Sequence, residues 1–316
     1  MPERSGTTKS DKISVEVDGR QLQMSNLHKV LYPQAGFTKG AVIDYYTRVA
    51  PVLLPHLRHR ALTIKRYPNG VDEKFFFEKN AARGTPSWVR TVTLPVPGST
   101  KNRDTIDYVV VEELATLVWL ANLAALELHV PQWVVPPRAR KPRTDLLVFD
   151  LDPGPPATIA ECCEVARAVR DLLADDGLTL FAKTSGSKGM QLSAPIEVDD
   201  PDLPSSYAHA IAKQLERRRP DLVVSRMTKS LREGKVLVDW SQNSPAKTTV
   251  SPYSFRARDE PTVSTPLTWD EVESGDPLRF TSDEVLARVD EKGDLFAGTL
   301  DDELRARITA AMATRG

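Results

Sequence analysis

Three aspartates carry the clearest chemical signal in the chain. Asp150 and Asp152 stand at i and i+2 in Asp145–Asp152, a segment that alternates like a strand and stops at Pro153-Gly154. Period-two alternation sends both carboxylates off one face. Asp239 lies near the end of a second such segment, Lys235–Trp240. If the two segments are neighbours, three carboxylates repel one another with no lysine between them, and hard divalent cations relieve that repulsion. Oxygen-only ligation suits Mg²⁺ or Mn²⁺ over zinc. Strand-end aspartates also end sheets by bonding loop amides, so their placement decides between the two readings.

The order of elements between them supplies that placement. Thr158 with Glu161 makes a capping box, and the helix it opens runs to Gly177. Leu178–Lys183 and Met190–Ile196 read as strands joined by the turn Thr184–Gly189. A second helix fits Ser205–Arg219, and strands follow at Leu222–Met227 and Lys235–Trp240. Setting aside the extra strand before the last, the order is β-α-β-β-α-β, the ferredoxin-like split unit, whose last strand lies antiparallel beside its first. Asp239 then reaches the edge that carries Asp150 and Asp152.

The turn Thr184–Gly189 has the parts of a phosphate cradle: two glycines, hydroxyls, and the charge of Lys188. It lacks the Walker spacing, and an ordinary hairpin turn reads equally well. Whether it opens beside the aspartates depends on strand lengths. A basic series, Arg226, Lys229, Arg232, Lys235, Arg256 and Arg258, could hold a triphosphate or a nucleic-acid backbone, or could be a solvated face. Lys65 and Arg66 carry the same ambiguity. Upstream, a strand is expected at Ile13–Val17, closed by Asp18-Gly19, and Thr38 caps a helix that ends at Pro51. Phe75–Phe77 and Thr105–Val111 read as strands, Glu112–Leu123 as a helix, Leu126–Val130 as a strand, and Pro131–Arg143 as a connector. At least one ring of Phe75–Phe77 is expected to enter the core. His129 reads as a satisfied core or turn residue, and at least one of Cys162 and Cys163 as a buried hydrophobe.

The 316 residues carry a net charge of −1, with 41% hydrophobic and 27% charged residues, which excludes a disordered chain. Two adjacent cysteines exclude a disulfide framework and a four-cysteine zinc site. The polar N-terminus lacks a signal-peptide core, and Leu114–Val130 is too short and too polar to span a bilayer, so a cytoplasmic location is expected. Charge is segregated: residues 259–316 hold six Lys+Arg against fourteen Asp+Glu, which leaves residues 1–258 at +7. Lys213–Arg258 alone holds eleven basic and four acidic residues, enough for a positive face toward phosphates.

Seven strings then resemble, in order, the polymerase domain of bacterial ligase D, a branch of the archaeo-eukaryotic primase superfamily. They are Asn26–Pro33, Phe76–Asn80, Leu128–Trp133, Phe149–Gly154, Thr184–Gly189, Val238–Asn243 and Pro252–Arg258, and the likeness continues through Thr262–Trp269. The resemblance implies an α+β primase-polymerase fold: a mobile tail at 1–12, then one domain over 13–316. That domain comprises an N-terminal α/β subdomain (13–144), a ferredoxin/RRM-like catalytic palm (145–258) and an acidic packing segment (259–316).

It implies that Asp150, Asp152 and Asp239 bind Mn²⁺ or Mg²⁺, two ions with Asp239 shared. His129, Ser185, Lys188 and Arg232 would surround the phosphates of a nucleoside triphosphate, with Gln242 beside the third acid. Phe76, Phe77 and Lys65 would lie near template and nucleotide, with Arg256 and Arg258 near the active site. Lys29 and Lys39 would hold a downstream 5′-phosphate. The expected activity is template-dependent gap or end filling in DNA repair, with ribonucleotides accepted. The expected partners are gapped or broken DNA, with Ku and a separate ligase in end joining, and the protein is expected to be monomeric off DNA. The chain begins and ends like a whole domain, which favours a free-standing gap-filling enzyme, of the kind called primase–polymerase C, over an excised ligase D module. A non-catalytic end-bridging module and a metal-dependent nuclease or phosphatase are the alternatives.

Overall fold

The structure is a computed structural model that describes residues 12–96, 104–137, 141–276 and 278–314. Most of the expected tail, residues 1–11, lies outside the described residues, and Lys12 opens a strand rather than belonging to the tail. That strand, Lys12–Val17, pairs antiparallel with Arg20–Ser25 through Asp18-Gly19, both at positive φ, the geometry of a two-residue hairpin turn.

The first half contributes helix α1 (Lys39–Leu57), strands β1 (Thr63–Arg66) and β2 (Phe76–Glu78), helix α2 (Leu114–Asn122) and strand β3 (Ala125–Val130). Thr38 caps α1 as expected, its side chain accepting from Ala41 N. The helix does not stop at Pro51, however, but runs through Pro51 and Pro55 to Leu57. A proline inside a helix costs about 3 kcal/mol or more. Burial of Leu53 and Leu57 on the same stripe as Val49 offsets that cost.

The second half is the split unit: β4 (Leu146–Pro153), α3 (Ile159–Ala174), β5 (Phe181–Thr184), β6 (Met190–Glu197), α4 (Leu203–Arg218), β7 (Val223–Val224) and β8 (Val236–Asp239). The capping box of Thr158 and Glu161 is present. Beyond it come β9 (Thr249–Val250), β10 (Pro266–Leu267), α5 (Trp269–Ser274), α6 (Ser282–Lys292) and β11 (Ala306–Arg307). The larger sheet runs β7-β8-β4-β6-β5-β10, with β11 parallel to the far end of β6. Its centre, β8-β4-β6-β5, has the expected order, and β8 is antiparallel to β4. The smaller sheet runs β9-β3-β1-β2.

Alternation along β4 divides its faces. Leu147, Phe149 and Leu151 bury against α3 and α4, among Cys162, Cys163, Tyr207 and Ile211, while Asp150 and Asp152 face away. Both cysteines are fully buried. A second core lies under the smaller sheet and takes in Tyr45, Tyr46, Leu126 and Leu128. Tyr253 and Phe255, inside the expected palm, belong to this second core, and the acidic segment feeds both: Leu267 and Val272 in one, Val263 and Val285 in the other. The connector after β3 contains a short pairing of Trp133–Val134 with Arg143–Thr144, and residues 138–140 lie outside the described residues.

Candidate active site

The pairing register brings the three aspartates together. Asp150 and Asp239 are direct partners across β4 and β8, and Asp152 follows two residues along β4 on the same face. Loss of hydration, then Asp152, pushes the Asp150 carboxyl up to about 7, against the pull of Gln191. Loss of hydration, then Asp239, raises Asp152, while Arg232 and Arg256 pull it back. Asp239 is braced: its Oδ1 accepts from Ser241 N at 2.9 Å and Ser241 Oγ at 2.5 Å, and its Oδ2 accepts from Gln242 Nε2 at 2.9 Å. Among the described residues no three His, Cys, Asp or Glu side chains form a ready-made ligand set. What the strand pair offers is an oxygen-only group of crowded carboxylates, two of them held above their ordinary range, and this chemistry suits a hard divalent cation.

Asp150 and Asp152, but not Asp239, are among the residues that line a cavity of about 340 Å³. The same cavity has a basic and hydroxylic lining: Ser185, Ser187, Lys188, Arg232, Arg256 and Arg258. The turn Thr184–Gly189 therefore opens beside the aspartates, because the C-terminal end of β4 lies against the start of β6. The amides of Ser187 and Gly189 donate to Ser185 Oγ, so part of the expected cradle is spent inside the turn. Arg256 donates to the Ser185 carbonyl at 3.0 Å, and Arg232 to the Met227 carbonyl at 2.6 Å. Among the described residues the buried Nε of each arginine makes no hydrogen bond, although that of Arg256 is ion-paired. Gln242 reaches the site through its hydrogen bond to Asp239 and is not among the residues lining the cavity.

Behind Arg256 lies a residue that the sequence pattern does not single out. Glu127 is 2% exposed, and its carboxylate meets His129 Nε2 at 2.8 Å, Lys65 Nζ at 2.9 Å and Arg256 Nε at 3.5 Å. Burial alone would raise this carboxyl, but the hydrogen bond with His129 and the charges of Arg256, His129 and Lys65 hold it far below the carboxylate range. Burial pushes His129 down, against the pull of Glu127. His129 is thus bonded to Glu127 and is not among the residues lining the cavity. The one sequence signal for Glu127 is an acid and an imidazole at i and i+2 of one strand, which share a face.

Phe75, Phe76 and Phe77 depart from expectation, for all three are exposed, at 47%, 44% and 48%. Phe76 and Phe77 point to opposite faces of β2, the edge strand of the smaller sheet, and neither ring is covered. Phe75 stacks on Tyr67 at 5.4 Å and lies under Lys65, and Arg66 lies over Phe76. Lys29 and Lys39 are brought side by side by a backbone hydrogen bond. Lys29 Nζ donates to Asn69 Oδ1 and Lys39 Nζ to the Ser25 carbonyl, and burial together with Lys29 pushes Lys39 down to about 8.

Known proteins resemble this chain over most of its length. The family model described as "LigD, primase-polymerase domain" matches residues 38–296. The multifunctional non-homologous end joining protein LigD of Mycolicibacterium smegmatis is 46% identical over 278 residues, covering 88% of this chain and 36% of that protein. The bifunctional LigD of Bacillus subtilis is 32% identical over 293 residues, covering 90% of this chain and 46% of that protein. This chain therefore spans between about a third and a half of these relatives' length. Among solved structures, the polymerase domain of Mycobacterium tuberculosis ligase D in complex with DNA superposes with a TM-score of 0.83 at 45% identity, covering 89% of this chain and 98% of that one. The fold, the acid-and-arginine cavity and these likenesses agree: the chain belongs to the LigD primase-polymerase domain family.

Proposed function

We propose that the protein is a template-dependent nucleotidyltransferase that fills short gaps or ends in DNA, accepts ribonucleotides and recognises a downstream 5′-phosphate. The observation that carries this reading is the cavity itself, which has both an acidic lining, Asp150 and Asp152, and a basic one, Lys188, Arg232, Arg256 and Arg258. A substrate that is both metal-chelating and polyanionic, a nucleoside triphosphate, satisfies both linings. Divalent cations held by Asp150, Asp152 and Asp239 would supply, when bound, a lowered pKa for the primer hydroxyl and charge stabilisation during in-line displacement.

The chain's own residues do the rest. Arg232, Arg256, Arg258 and Lys188 neutralise the phosphates, and Ser185 and Ser187 add hydroxyl donors. Glu127 holds Arg256 and Lys65 in place from behind. Phe76 and Phe77 offer exposed rings to bases of template or nucleotide. Lys29 and Lys39 make a compact cationic pair for a terminal phosphate.

The names of the relatives put them in non-homologous end joining. Work with Ku and a ligase at broken ends is accordingly the second reading for this chain. Incubation with gapped duplex, Mn²⁺ and single ribo- or deoxynucleotides tests the proposal. Extension by the templated nucleotide, lost in Asp152→Ala while DNA binding remains, is the expected result. Shortening would point to a nuclease, and binding without either to an end-bridging module.

A further inference from the structure

A single row of polar side chains crosses the larger sheet at the floor of the cavity. Lys183 on β5 pairs with Gln191 on β6, Gln191 with Asp150 on β4, and Asp150 with Asp239 on β8. Direct cross-strand partners share a face, so the four side chains stand side by side. Lys183 and Gln191 are 3% and 4% exposed. Lys183 Nζ donates to Gln191 Oε1 and, at 2.8 Å, to Ser264 Oγ, while Gln191 Nε2 donates to Asp150 Oδ1 at 3.0 Å.

With Lys183 protonated and Asp150 ionised, the row has one consistent polarity. An ammonium group donates and never accepts. Ser264 commits its own hydroxyl hydrogen to the Thr184 carbonyl at 2.8 Å, so toward Lys183 it can only accept. Gln191 must then turn its oxygen to Lys183 and its NH₂ to Asp150. The flipped amide would set donor against donor and carbonyl against carboxylate. Oδ1 of Asp150 is thereby engaged from within the sheet, among the described residues Oδ2 has no protein donor, and Asp150 lines the cavity.

We propose that Lys183 and Gln191 are positioning residues: they hold the Asp150 carboxylate in the rotation that offers one oxygen to a divalent cation. This rests on the reading of Asp150 as a metal ligand, and neither residue is assigned contact with the metal or the nucleotide phosphates. Without the row, Asp150 can rotate, and part of the binding energy of the cation is spent in ordering it.

The test is Mn²⁺ titration of the full chain, with free Mn²⁺ read by electron paramagnetic resonance, alongside the Mn²⁺ dependence of gap extension. Lys183→Met and Gln191→Leu are each expected to weaken Mn²⁺ binding by about tenfold and to raise the half-saturating Mn²⁺ for extension in step. Their double variant is expected to be no weaker than the worse single, because the two act as one unit. Arg256→Ala is expected to raise the nucleotide KM without weakening Mn²⁺ binding, because it removes a cation from beside the acids. Unchanged Mn²⁺ affinity in folded Gln191→Leu overturns the proposal, whatever the stability of Lys183→Met, and so does a double-variant loss equal to the product of the singles. Asp150→Asn that binds Mn²⁺ and extends normally would instead refute the metal assignment beneath it.

Discussion

Gly189 packs directly on the backbone of Leu151: a Cβ added at Gly189 would stand 2.1 Å from the Leu151 carbonyl oxygen. This contact ties the phosphate-side turn to the acid strand one residue from both Asp150 and Asp152. Gly154 makes a similar approach, its added Cβ standing 1.9 Å from the Arg232 carbonyl oxygen. Both obstacles are backbone, which cannot swing aside as a side chain can.

Gly189→Ala and Gly154→Ala are therefore expected to part the acidic and basic linings of the cavity. Overpacking of this kind costs about 1–3 kcal/mol. The expected outcome is a Tm lower by several degrees in calorimetry. Single-nucleotide extension is expected to fall by more than tenfold, because a shift of about 1 Å in positioning groups has effects of that size.

Asp150 gives a pH-dependent stability prediction. Its carboxyl is pushed up to about 7 from an ordinary 3.8, so its charged form weakens the metal-free fold. The penalty is absent below about 3.8, grows as pH rises toward 7, and is complete above it. Asp150→Asn removes it. Calorimetry without metal is expected to show the variant more stable than the parent at pH 8, by a few degrees, with no gain at pH 4, while extension is abolished. An equal gain at both pH values would count against the buried negative charge as the cause.

The lysine pair gives a second titration. Burial and Lys29 push Lys39 down to about 8, so its charge is present below that pH and lost above it. Preference for a 5′-phosphorylated gap over an unphosphorylated one is expected to be strong at pH 7 and to weaken by pH 9. Lys29→Ala with Lys39→Ala is expected to erase it at every pH. Competition binding with the two gapped duplexes reads both effects.

Glu127 couples stability to substrate binding. Glu127→Ala leaves Lys65 and Arg256 without their buried counter-charge, a loss on the order of 3–5 kcal/mol. Glu127→Gln keeps the shape and removes the charge. In that variant the nucleotide KM is expected to rise roughly tenfold, in the same direction as Arg256→Ala, and less than additively when the two are combined. Steady-state extension with the single and double variants checks this.

The features legible from residue order are local or topological. Alternation put Asp150 and Asp152 on one face, the capping box opened α3, and the β-α-β-β-α-β order brought Asp239 beside them, because each follows from neighbours in the chain or from a chain path with few solutions. Packing in three dimensions carried α1 past Pro51, where a core overrode a local breaker, and left Phe75–Phe77 exposed, where an edge strand gave alternation nothing to bury against. Packing also paired Glu127 with Arg256 and built the row from Lys183 to Asp239. A buried charge or amide is defined by the partner that satisfies it, and these partners arrive from other strands and from loops far along the chain, at distances no local pattern records.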